Sequence, residues 1–168
     1  AIANFNDKLS GVSLSGAAGW IPVMYGASQD PQGDSQAKAS DTDLVADPTH
    51  GSLYVAYDDG GTTSGSDDYL EFRARIDNPT STGVFGGVLV VGMDANGDGR
   101  IDIFFTVDAR NNSQVIRIMD PGTDANISPS TTSTTPLPSG WLPNNGVYAF
   151  TGSNYASTAV SSSSDTNW

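Results

Sequence analysis

From Tyr69 to Ile76 the chain alternates. Leu70, Phe72, Ala74 and Ile76 fall on one side, and Glu71, Arg73 and Arg75 on the other. A period of two predicts a half-buried antiparallel strand with one wet face. The stretch Leu53-Tyr54-Val55-Ala56-Tyr57 is aromatic and β-branched and predicts a strand just before it. Residues 84–93 are apolar at both parities, the pattern of a central strand. Asp102 to Val107 returns the chain, and Val115 to Met119 adds a further strand, closed by Asp120-Pro121-Gly122. Val147 to Phe150 predicts a last strand. Near the start, Val12, Leu14, Trp20, Ile21 and Val23 predict one or two more. Polar stretches separate these runs: a long Asp-bearing loop over 27–52, with room for one short strand, and a Ser/Thr/Pro-rich loop over 123–140.

Strand signals recur without helical periodicity or an internal repeat. The fold class that fits is all-β, an antiparallel β-sandwich of jelly-roll or immunoglobulin-like type with long loops. The expected organisation is one sandwich domain over 1–150, with 151–168 as a Ser/Thr-rich tail or the start of a further segment.

Composition sharpens this picture. Of 168 residues only Glu71 is a glutamate, so the acidic charge is almost all aspartate, a residue of turns and metal loops. The formal net charge of -12 repels nucleic acid and anionic membranes and suits divalent cations. No cysteine is present, so no disulfide can staple the fold. A secreted or cell-surface bacterial protein, with calcium in the role of the staple, is the expectation that follows. No apolar run reaches the roughly 20 residues of a membrane helix.

The chemical signal is concentrated in Asp94-Ala95-Asn96-Gly97-Asp98-Gly99-Arg100-Ile101-Asp102. Side-chain oxygens stand at alternate positions, and two glycines allow the backbone to curl them together. Calcium takes six to eight oxygens. Asp94, Asn96 and Asp98 can each supply one, the Arg100 carbonyl a fourth, and Asp102 another, directly or through water. Magnesium keeps more water and is less suited, while zinc would call for Cys or His. An EF-hand would place a bidentate Glu where Phe105 stands, and would flank the loop with helices. The pattern D-x-N-x-D-G-x-x-D resembles the strand–loop–strand calcium sites of integrin-type (FG-GAP) repeats, and the loops of dockerins and thrombospondin type-3 repeats. That resemblance implies a ligand role for Asp94, Asn96, Asp98 and Asp102.

Other signals are fainter. Asp58-Asp59 and Asp67-Asp68 flank a glycine-rich turn and form a candidate second calcium site, with a solvated acidic turn as the favoured reading. Strand order over roughly residues 40–108 resembles family 9 carbohydrate modules and DOMON domains. Trp20, Trp141 and Trp168, with Tyr25, Tyr54, Tyr57 and Tyr155, are candidates for a sugar-stacking platform, although core packing is the commoner fate of such rings. His50, the lone histidine, supports no nucleophilic triad, and no catalytic residue is assigned. Asn111-Asn112-Ser113 and Asn126-Ile127-Ser128 match glycosylation acceptors. The expected function is an extracellular, calcium-stabilised structural or adhesive module of a surface layer, filament, matrix or adhesin, not an enzyme. Its partners would be calcium and copies of itself or glycans. The alternative is a carbohydrate-binding module, attached to a secreted hydrolase.

Overall fold

The computed structural model describes residues 20–23, 43–46, 51–58, 63–64, 68–77, 85–110, 113–126 and 131–151. The expected strands around Val12 and Leu14, most of the 27–52 loop, His50, Asp59, Asp67 and the tail beyond Thr151 lie outside the described residues. The fold is all-β and every strand pair is antiparallel. No helix among the described residues is long and apolar enough to cross a membrane. The chain divides into two compact units, Phe85–Ser157 and the residues on either side of it, Ala1–Val84 with Thr158–Trp168.

The first unit holds two small sheets. β1 (Ile21–Pro22), β3 (Leu53–Asp58) and β4 (Tyr69–Ala74) lie in that order, and β2 (Asp43–Leu44) pairs with β5 (Ile76–Asp77). The alternation that predicted β4 is present, but its polar face is not wet. Ala56, directly opposite Glu71, is fully buried, and Arg73, opposite Tyr54, is half-buried. The Arg73 guanidinium stands over the Trp20 and Tyr54 rings, so a charged residue at an alternating position need not mark solvent.

The second unit is a five-stranded sheet. β6 (Val88–Met93), β7 (Ile103–Asp108) and β8 (Val115–Pro121) run side by side, and β9 (Thr134–Pro136) and β10 (Val147–Ala149) share the far flank of β8. A left-handed turn over Pro143–Gly146, with Asn144 and Asn145 at positive φ, delivers β10. The 123–140 loop therefore contains a short strand that composition concealed. Pairing of Met119, Asp120 and Pro121 with Pro136, Thr135 and Thr134 imposes it.

One expectation about this sheet is corrected. Val88–Met93 is not central: β6 ends the sheet among the described residues, and its residues alternate between exposed and half-buried. Apolarity at both parities has separate causes on the two faces. Leu89, Val91 and Met93 share a face with Phe105, Val107, Ile116 and Ile118, all half-buried. Val88 and Val90 lie on the opposite face at 39% and 42% exposure. On that same face β7 contributes the buried Phe104, Thr106 and Asp108, which β6 and β8 flank on either side.

Candidate metal centre

The Asp94–Asp102 loop joins β6 to β7, so the sheet register fixes its two ends. Met93 pairs with Ile103, and the Asp102 N–H donates to the Met93 carbonyl at 2.9 Å. Between those ends the backbone curls around its own aspartates. Asp94 Oδ1 accepts from the N–H of Gly97 at 2.6 Å and of Asp98 at 3.2 Å, and Oδ2 accepts from Gly99 at 2.7 Å. Asn96 Oδ1 accepts from the Asp98 N–H at 2.8 Å, and Asp98 Oδ1 from the Arg100 N–H at 2.9 Å. Asp102 closes the start of the loop: Oδ2 accepts from Ala95 and Asn96 N–H at 2.8 and 3.2 Å, and Oδ1 from Asn96 Nδ2 at 3.1 Å.

This curl requires φ of +78° at Gly97 and +84° at Gly99, where a side chain would be strained although the surrounding space is open. Each glycine thus serves the backbone and not the packing. The N–H groups it orients lower the pKa of Asp94, with the Gly99 hydrogen bond the largest cause. The ionised form of Asp94 is thereby favoured.

A cation needs lone pairs that the loop's own hydrogen bonds leave free. A carboxylate offers about four acceptor sites and an amide oxygen two. The hydrogen bonds above take three at Asp94, three at Asp102, one at Asp98 and one at Asn96. Asn96, Asp98 and Asp102 each keep at least one site, and Asp94, to which the Asn96 N–H is a further donor, is the most fully engaged. The donors are all hard oxygens, the set calcium prefers. Asp94 is half-buried, and Asn96, Asp98, Arg100 and Asp102 are exposed. Among the described residues no three His, Cys, Asp or Glu side chains converge on one point; the candidate set also draws on Asn96 and the Arg100 carbonyl. Beside the loop lies a cleft of about 380 Å³ lined by Arg100, Ile101, Gly122, Asp124, Ala125 and Asn126.

The fainter sites fare differently. Of the second acidic turn, Asp68 is engaged: its Oδ2 accepts from the Tyr57 hydroxyl at 2.6 Å. Asp59 and Asp67 lie outside the described residues. Trp20 and Tyr54 are brought together, but around a cation. The Arg73 guanidinium stands 5.8 Å from the Trp20 ring centroid and 6.0 Å from that of Tyr54. Desolvation lowers the Arg73 pKa while the guanidinium remains charged. Trp141 is 70% exposed in the second unit, and Trp168, Tyr25 and Tyr155 lie outside the described residues. Asn126 is no free glycan acceptor. Its amide donates to the Gly122 and Asp124 carbonyls and accepts from the Ser133 N–H, so it holds its own loop together.

One feature of the second unit escaped the sequence. At the far end of β7, Asp108 is buried and accepts from Arg110 Nε at 2.9 Å and Nη2 at 2.8 Å, with Arg117 Nη1 at 3.5 Å. Arg110 is the first cause, and Ser113 a further one, of an Asp108 pKa far below the usual carboxylate range. The residues fall in what read as a polar turn. The signal was Asp108 and Arg117 two register steps apart on one face of a hairpin.

Comparison of the chain with protein-family models, curated proteins and solved structures gave no match.

Proposed function

We propose that the chain is a calcium-stabilised all-β module of the sandwich class, secreted or displayed at a cell surface, serving a structural or adhesive role in a layer, filament, matrix or adhesin. The observation that carries the reading is the Asp94–Asp102 loop: a curled, oxygen-only segment between two paired strands, with free acceptor sites on Asn96, Asp98 and Asp102. Three carboxylates within nine residues repel one another, and a divalent cation removes that repulsion while tying β6 to β7. Asp94, Asn96, Asp98, Asp102 and the Arg100 carbonyl would hold it. The role is mechanical: the ion fixes a hairpin in a chain that has no disulfide. The apolar face of β6–β8 supports the sandwich class, because such a layer is stable when a second layer covers it.

Thermal unfolding tests the reading. Calcium should raise the melting temperature over that in chelator, magnesium should do so less, and Asp94→Ala or Asp98→Ala should bring the calcium value down to the chelated one. An identical wild-type melting curve in calcium and chelator would overturn it. A carbohydrate-binding role is the second reading, favoured by the exposed ring of Trp141. Quenching of tryptophan fluorescence by a polysaccharide panel, lost in Trp141→Ala, would support it.

A further inference from the structure

Among the described residues, the β6 strand has an open side. The Gly87 carbonyl accepts from the Ala109 N–H at 3.0 Å, which makes Gly87 and Ala109 a bonded pair at the start of the β6–β7 ladder. Bonded pairs recur every second residue, so Leu89 and Val91 direct their N–H and C=O groups toward β7. Val88, Val90 and Gly92 direct theirs outward, and among the described residues nothing bonds to them.

Proteins blunt such edges with lysine, proline, a bulge or brevity. The other flank of this sheet is blunted: it is divided between two three-residue strands, and Pro136 ends one of them. β6 has none of these devices. It is six residues long, Val-Leu-Val-Val-Gly-Met, without charge or proline in a chain whose net charge is -12. Its exposed side chains, Val88 and Val90, are apolar.

We propose that β6 is a self-pairing edge, through which two copies of the chain join their sheets antiparallel about a two-fold axis at Val90. The register is self-complementary. Val90 meets Val90, and Val88 meets Gly92 twice, so every outward-facing residue of one copy meets an outward-facing residue of the other. Charge selects the direction. In the antiparallel register the Asp94 residues of the two copies are separated by about eight residues of strand, roughly 27 Å. A parallel in-register pair would set the two acidic loops about 5 Å apart, well inside the Debye length of about 8 Å at physiological salt. This proposal rests on the reading of the chain as a self-associating structural module and names the surface used.

Sedimentation of the 168-residue chain in calcium, with two lysine variants, tests it. The wild type should form a dimer. Val90→Lys puts two ammonium groups together at the axis and should raise the dimer dissociation constant about tenfold or more. Val147→Lys, at a position on β10 of equal exposure (42%), should leave it unchanged. Because the chain has no cysteine, Val90→Cys gives an independent readout: a short bis-maleimide should link two copies through it and not through Val147→Cys. A monomeric wild type at all concentrations would overturn both the pairing and the self-association reading. A wild-type dimer indifferent to Val90→Lys and not linked through Val90→Cys would overturn the β6 pairing alone.

Discussion

The two ends of β7 hold aspartates in opposite ways. At the Asp108 end the carboxylate is buried, with 4% of its side chain exposed, and the protein itself supplies the countercharge through Arg110 and Arg117. At the Asp102 end the carboxylates are exposed or half-buried and meet only backbone N–H groups and one amide. N–H dipoles orient a carboxylate but leave its formal charge in place. One end of the strand is therefore neutralised by the chain's own arginines, and the other meets no cationic side chain among the described residues. On the proposed reading, the Asp108 end of the strand is held with or without calcium, and the loop end depends on it.

Removing the ion should expose this difference most. If calcium is held at a hundred times its dissociation constant, linkage gives about 2.7 kcal/mol of stabilisation. For a chain of this length that corresponds to a melting shift of roughly 5–10 °C. The shift should vanish in Asp94→Ala and persist in Asp108→Ala. Loss of the shift in both variants would show that the two ends act as one.

Asp108→Ala comes next. It deletes the acceptor of two charge-assisted hydrogen bonds from Arg110 and the partner of Arg117. A cost of about 2 kcal/mol is expected, moderated because the Arg110 side chain is 62% exposed and returns to water. Chemical denaturation with and without calcium should give the same loss. A loss confined to one calcium state would break the contrast between the ends.

What the sequence disclosed follows the same division. The loop was legible because all its candidate ligands are local: nine consecutive residues carry the pattern, and the strands on either side are apolar. β3, β4, β7 and β8 were legible from alternation and β-branched content. The Asp108 cluster was not, because Arg117 reaches it from the next strand and only the register Thr106↔Arg117 brings them together. The position of β6 was misjudged for a related reason. Two apolar faces mark a central strand when both are covered, but Val88 and Val90 are apolar and exposed. β9 was hidden because its Thr and Pro residues have loop composition and acquire strand form only by pairing with β8.

Acid separates the two ends more finely. Both Asp108 and Asp94 have folded-state pKa values below their ordinary ones, Asp108 mainly through Arg110 and Asp94 mainly through the Gly99 N–H. For a lowered carboxylate the unfolded chain takes up the proton first. The stabilisation is then whole above about pH 4 and is lost as pH falls toward the folded value. Melting temperatures measured from about pH 6 to about pH 2 should therefore fall in the acid range with and without calcium. Raising calcium should move the loop's part of that fall to lower pH, because protons and the ion compete for Asp94. In Asp94→Asn the calcium dependence of the curve should disappear while the Asp108 part remains. A curve of constant height across this range would overturn the assignment at both ends.

The smallest effect lies within the Asp108 cluster and ranks its two arginines. Arg110 makes a two-pronged contact, Nε and Nη2 on separate carboxylate oxygens, whereas Arg117 approaches one oxygen at 3.5 Å, beyond a good hydrogen bond. Burial points the other way, since the Arg110 side chain is 62% exposed and that of Arg117 is 35% exposed. If geometry governs, Arg110→Lys should lower the melting temperature more than Arg117→Lys, because lysine keeps the charge and loses the fork. If charge alone governs, both lysine variants should melt like the wild type, and only Arg110→Ala and Arg117→Ala should differ from it. Geometry is expected to prevail: the planar fork meets Asp108 in two places at once, and a point charge at the same site cannot. The ranking should be identical in calcium and in chelator, since neither arginine touches the loop at the other end of β7.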